Sequence, residues 1–145
     1  SFTKRFVTAG STPPDERLHR AIELGGGNVV DEFFDGSIAQ CASRWSASGP
    51  SIEAIADAYR SARATAAAWL DSPAVLADRV RAAQAQGVVL WLIEEDEGIV
   101  WEVPRQIERL RAAGIDALAL TRQSWDADAS VLTRISEFAQ SVGTT

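Results

Sequence analysis

Apolar residues recur along this chain in two rhythms. The first is the short β-prone run. Arg5-Phe6-Val7-Thr8-Ala9-Gly10 stops at a glycine and predicts a first strand, and Asn28-Val29-Val30-Asp31-Glu32-Phe33-Phe34 predicts a second. Val88-Val89-Leu90-Trp91-Leu92-Ile93 is apolar at every position, which predicts a third strand covered on both faces, inside a parallel sheet. Ala117-Leu118-Ala119-Leu120 predicts the fourth. The second rhythm is a spacing of three and four, which puts apolar side chains on one face of a helix. It is carried by Leu18, Ala21 and Ile22; by Ile52, Ile55, Tyr59 and Ala62 or Ala66; by Leu76, Val80 and Ala83; by Val103, Ile107 and Leu110; and by Val131, Ile135, Phe138 and Val142.

Turn residues punctuate these runs. Thr12 is expected to cap the first helix, with Pro13 in its first turn and Asp15 at the capping-box position. Gly25-Gly26-Gly27 should stop it, since glycine tolerates the left-handed cap. Asp35-Gly36-Ser37 reads as a turn, and residues 38–50 carry the least pattern, with room for a short helix. Ser51 is expected to cap the next helix, which the alanine-rich stretch to Leu70 prolongs. Ser72 before Pro73 marks a restart that Gly87 ends. Glu94-Glu95-Asp96-Glu97-Gly98 leaves the third strand, Pro104 opens a helix that Gly114 closes, and Asp128 or Ser130 starts the last one.

Strands that alternate with helices predict a parallel sheet with helices on both faces, joined by right-handed crossovers. The expected fold is α/β: a small, doubly wound, flavodoxin-like, four-stranded parallel sheet of order 2-1-3-4, spanning residues 1–145 as a single domain. A chain of 145 residues can bury such a core without disulfides.

Composition narrows the function classes. Fourteen Lys and Arg against twenty Asp and Glu give a net charge of −6, and the basic residues are spread among acids. Nucleic acid and anionic membrane are therefore not expected partners. The longest apolar run, Gly87 to Ile93, is strand-sized, far short of the roughly 18–20 residues that span a bilayer. No secretory apolar core follows the N-terminal charges, so the expected location is cytoplasmic. A start at Ser1 instead of Met suggests a processed or excised piece. Cys41 is the only cysteine, so the chain can form no internal disulfide and no thiolate cage for zinc or iron.

In an open parallel sheet, ligands sit beyond the carboxyl ends of the strands where the winding reverses. For order 2-1-3-4 that crevice lies between the first and third strands, walled by Gly10, Ser11 and Thr12 on one side and by Glu94 to Trp101 on the other. Backbone N–H groups of Gly10-Ser11-Thr12 could face a phosphate, but no Walker or GxGxxG pattern surrounds them and the acids opposite repel an anion. Glu95 and Asp96 are the candidates for acid–base work, and the acid run could hold a hard cation; a solvated loop is the ordinary reading of such a run. No metal site is expected. His19, the sole histidine, reads as a helix-surface residue, with no GxSxG elbow to accompany it. Of the five tryptophans, Trp91 is expected in the core, while Trp101 and Trp125 follow strand ends and could line the crevice or a subunit contact. A phosphoacceptor receiver is excluded, because Ala9-Gly10 closes the first strand and there is no lysine beyond Lys4.

Several pieces in order carry a resemblance. They are the Gly10-Ser11 turn before Pro14-Asp15, Gly26-Gly27-Asn28-Val29-Val30-Asp31-Glu32, Gly36-Ser37, Ile52-Glu53-Ala54-Ile55-Ala56 with Tyr59-Arg60, and Gly87-Val88-Val89. Trp101-Glu102-Val103-Pro104 with Leu110 and Ala113-Gly114-Ile115 is the most specific, and Thr133-Arg134-Ile135 with Phe138 closes the series. The chain resembles one α/β domain of the D-component family of 2-hydroxyacyl-CoA dehydratases and benzoyl-CoA reductases. The resemblance implies a cytoplasmic, oligomeric enzyme assembly acting on acyl-CoA thioesters, with a 4Fe–4S cluster held by cysteines in its catalytic subunits. It also implies a second such domain in the full subunit. Where the family often has one cysteine, near the exit of the second strand, Phe34 stands here; where it has another, before the Trp-x-x-Pro segment, Asp96 or a neighbouring acid stands. Phenylalanine offers no donor atom, and carboxylates suit hard cations better than iron–sulfur clusters. The expectation is a cluster-free, degenerate relative with no cofactor of its own. Its expected role is structural, partner-binding or acyl-CoA-holding, the partner being another subunit or the missing second domain. An acyl-CoA-processing enzyme using the crevice carboxylates and an interaction module without a small ligand are the alternatives.

Overall fold

The computed structural model describes residues 4–34, 52–53 and 73–143. The elements run β1 (Lys4–Gly10), α1 (Arg17–Leu24), β2 (Gly27–Phe34), α2 (Pro73–Ala82), β3 (Gly87–Ile93), α3 (Glu97–Val100), α4 (Val103–Ala112), β4 (Asp116–Gln123) and α5 (Ala129–Ser141). All strand pairings are parallel, in the order β2-β1-β3-β4 expected of a small flavodoxin-like α/β fold.

The apolar rhythm decides which face each residue serves. Phe6, Val89, Trp91 and Leu120 point to the side where Leu18 and Ile22 of α1 pack with Val131 and Ile135 of α5. Val7, Ala9, Val88, Leu90 and Leu92 point the other way, onto Leu76 and Val80 of α2 and Val103 and Leu110 of α4. β3 is interior and buried on both sides, which is why its sequence does not alternate. Phe6 fixes the amino end of the sheet: it meets Phe138 edge-to-face at 6.0 Å. Gly27 and Gly87, on the neighbouring strands, leave it room, since a Cβ at either would overlap its ring.

Three local expectations need correction. Thr12 does not cap α1, which begins at Arg17 behind an N-cap residue, Glu16, that makes no side-chain cap. Thr12 and Pro13 each precede a proline, and that position disfavours helical backbone. Asp15 instead accepts the backbone N–H of Arg17 at 2.9 Å and the Arg17 Nε at 2.7 Å, before the helix starts. The acid run, read as a loop, is not one throughout: its last residues, Glu97 and Gly98, belong to the single turn α3. β4 continues past Leu120 to Gln123 through an irregularity opposite Trp91–Ile93, where Arg122 takes a φ of 55°. Pro73 does open α2, Pro104 lies in the first turn of α4, Gly114 follows α4 at a φ of 71°, and Asp128 caps α5. Ser51, Ser72, Cys41, Trp45, Trp69 and the turn at Asp35-Gly36-Ser37 lie outside the described residues, as does the helix after Ile52 and Glu53. Among the described residues no helix is long and apolar enough to cross a membrane.

Candidate functional site

The strand order puts the end of β1 between two neighbours: Gly10 is in register with Phe34 of β2 on one side and with Trp91 of β3 on the other. Gly10 takes a φ of 111°, and a Cβ there would overlap the Trp91 carbonyl, so only glycine lets the chain leave β1 this close to β3. The Ser11 N–H then donates to Trp91 O at 2.8 Å. The Ser11 side chain is 3% exposed, and its Oγ accepts the Ile93 N–H at 3.0 Å while donating to a carboxylate oxygen of Asp96. Three hydrogen bonds therefore staple the β1–α1 turn to the exit of β3, across the place where a doubly wound sheet would open its crevice.

Of the crevice residues read from sequence, the structure brings Ser11 and Asp96 into contact around the end of β1. Thr12 is exposed beside them, Glu95 faces solvent, and Trp101 projects into solvent beyond α3. Phe34 is buried at the opposite flank of Gly10. Phe34 and Asp96 thus belong to the surroundings of one strand end, as a buried phenyl ring and a carboxylate engaged by serine. The hydroxyl of Ser11 is used as donor and as acceptor, so it is a structural link and not a free nucleophile. Glu94 turns toward β4, its N–H donating to Gln123 O at 3.0 Å and its carboxylate receiving Arg122 at 3.4 Å. Among the described residues no three His, Cys, Asp or Glu side chains converge as a metal cage.

His19 departs from its expected place on the helix surface. Its side chain is 24% exposed, and Nε2 lies 2.6 Å from Glu32 Oε1 on β2. Nδ1 of His19 and the hydroxyl of fully buried Thr8, the register partner of Glu32, have no hydrogen-bond partner. Simple alternation along β2 hides this pair. The register slips between Phe6 and Val7, which pair with Val29 and Asp31, so Val30 is an extra residue in the strand. Asp31 therefore faces α2, where Arg79 grips its carboxylate at 2.6 and 2.9 Å and lies over Phe33 at 4.9 Å, while Glu32 faces α1. An acidic pair in the middle of an apolar strand was the available signal.

Two carboxylates are tuned by hydrogen bonds at helix starts. The Arg17 side chain, and then its backbone N–H, hold Asp15 down to about 2. The Ser130 hydroxyl, followed by the Val131 N–H, keeps Asp128 below the usual carboxylate range. Away from the sheet edge, a groove of about 560 Å³ runs between α1 and α5, lined by Arg17, Arg20, Leu24, Leu132 and Glu137 among others. No protein-family model and no curated protein sequence matches the chain.

Proposed function

We propose that this chain is a cluster-free α/β domain of an acyl-CoA-handling assembly of the 2-hydroxyacyl-CoA dehydratase and benzoyl-CoA reductase kind, contributing structure and binding instead of redox chemistry. What supports the reading is the occupancy of one strand end. Phe34 stands near one place where the resembled family carries a cysteine and Asp96 or a neighbouring acid at the other; Phe34 is in register with Gly10, and Asp96 is bonded to Ser11 next to it. A phenyl ring cannot ligate iron, and Asp96 is committed to Ser11. The single cysteine of the whole chain, Cys41, cannot replace a set of thiolates.

The test has two arms. Protein reconstituted anaerobically with iron and sulfide is expected to show no broad iron–sulfur absorption and no stoichiometric iron; about four irons per chain would sink the reading. Titration calorimetry with a short acyl-CoA then separates an acyl-CoA-holding role from a purely partner-binding one. Saturable heat that Asp96→Asn abolishes would instead favour the alternative in which the crevice carboxylates process the thioester.

A further inference from the structure

Among the described residues the sheet has two outer strands, β2 and β4. An outer strand presents a row of backbone N–H and C=O groups to whatever can pair with it, and proteins commonly blunt such an edge with charges, proline or a bulge. β2 is blunted: Val30 is a surplus residue within it, and Asp31 and Glu32 follow. β4 is not. From Ala117 to Thr121 it reads Ala-Leu-Ala-Leu-Thr, without charge or proline, and its irregularity comes only beyond Leu120.

The bonds to β3 decide which groups of β4 face outward. The Asp116 N–H donates to Gln86 O at 3.2 Å, and the parallel register runs unbroken from Asp116 to Leu120. Residues of a parallel strand turn their backbone groups to one side and the other in alternation. Asp116, Leu118 and Leu120 therefore bond to β3, while Ala117, Ala119 and Thr121 point away from it. The Thr121 carbonyl accepts the Gln123 side-chain amide at 2.6 Å and keeps a second lone pair.

This edge is complementary to itself. Let two copies of β4 run antiparallel about a two-fold axis at Ala119. Ala119 then meets Ala119 and Ala117 meets Thr121, so outward groups meet outward groups. In the same register half-buried Leu118 meets Leu120, and Asp116 meets Arg122. Both charged residues are exposed and stand at opposite ends of the stretch, about 20 Å apart along a strand, too far to pair within one copy. Arg122 has only an exposed contact with Glu94 at 3.4 Å to give up.

We propose that β4 is a dimerisation edge. A second copy of this chain pairs with it antiparallel about Ala119 and joins the two four-stranded sheets into one, with Asp116 of each copy against Arg122 of the other. The proposal goes beyond the function proposed above and does not depend on it.

The test is sedimentation equilibrium of the full chain over a range of concentrations. A monomer–dimer equilibrium is expected. Asp116→Arg and Arg122→Asp should each weaken it at least about fivefold, because each turns two attractive contacts per dimer into two repulsive ones. The double variant Asp116→Arg/Arg122→Asp should restore it, since the pair is then exchanged. Both positions are exposed, and aspartate tolerates the φ of 55° at residue 122, so unchanged melting curves are expected. The Ala119 and Thr121 amides should exchange with deuterium quickly in dilute protein and slowly in the dimer. A monomer at every concentration up to about 1 mM would overturn the proposal. So would a dimer indifferent to the single charge reversals, or reversals that the double variant does not repair. Slow exchange at Ala119 in the monomer would overturn it too, because residues of the same chain would then already cover the edge.

Discussion

Ser11 shows how much one small side chain can hold. Replacing it with alanine leaves the Ile93 N–H without its acceptor and Asp96 without its donor. The expected cost is about 1–3 kcal/mol in urea unfolding. Asp96→Asn keeps an acceptor oxygen and should cost less than Ser11→Ala, while exposed Glu95→Gln should change stability little. If Ser11→Ala is as stable as the parent, the staple across the crevice carries no weight. Gln106 poses the opposite case. It is 1% exposed on the core stripe of α4 between Val103 and Leu110, and neither amide atom has a partner. Gln106→Leu should therefore raise stability by about 1–2 kcal/mol, because it removes an unmet desolvation cost at similar volume.

At the scale of elements, hydrophobic rhythm was enough to place all four strands and the helices that cover them among the described residues, because burial on one or both faces acts on many side chains at once. It failed where a single local event decides. The two prolines after Thr12 delay α1, and the extra Val30 reverses which face Glu32 serves. The site was legible only in part for the same reason. Topology put Gly10, Ser11 and the acid loop together, but which acid Ser11 would choose depends on the turn into α3, and the His19–Glu32 pair depends on the slip in β2. The cap of α5 gives a pH test at this scale. Asp128 is held below its ordinary value in the fold, so its contribution is full above the unfolded carboxylate value of about 3.9 and fades as pH falls toward the folded one. Asp128→Asn retains an oxygen for the Ser130 and Val131 N–H groups and should melt much like the parent at neutral pH. Its acid limb should be flatter below about pH 4. Thermal melts across that range would check it, and parallel acid limbs would contradict the assignment.

Among the described residues, parallel strands joined by helices make each helix that packs on the sheet start at the carboxyl edge and end at the amino edge, the single turn α3 excepted. Charge follows that polarity. Asp15, Glu16, Glu97, Glu102 and Asp128 stand at helix starts, whereas Arg79 and Arg81 close α2 and Arg109 and Arg111 close α4. Lys4, at the other edge, donates to the Ala139 and Gln140 carbonyls at the end of α5. Each arrangement complements a helix dipole. The acid run after β3 is thus partly the ordinary electrostatics of this fold. The glycine turn at Gly10 is a poor place for an anion for a more local reason: α1 starts only at Arg17, and the Asp96 carboxylate already takes the Ser11 hydroxyl.

The slip in β2 has a consequence for changes in chain length. Deleting one residue from a strand ordinarily sends everything on one side of the cut to the wrong face. Val30 is the surplus residue, so its removal would leave Val29 opposite Phe6, Asp31 opposite Val7 and Glu32 opposite Thr8, the partners they already have. A variant lacking Val30 should fold with a cooperative melt, losing mainly the burial of one half-covered side chain, about 1–2 kcal/mol. A variant lacking Glu32 should lose more, because closing the bulge there would turn Asp31 to the α1 face and leave Arg79 without its carboxylate. Relatives one residue shorter in this strand are therefore expected to keep every contact described for the longer one, and an alignment gap at Val30 would mark a bulge lost, not a sheet rearranged.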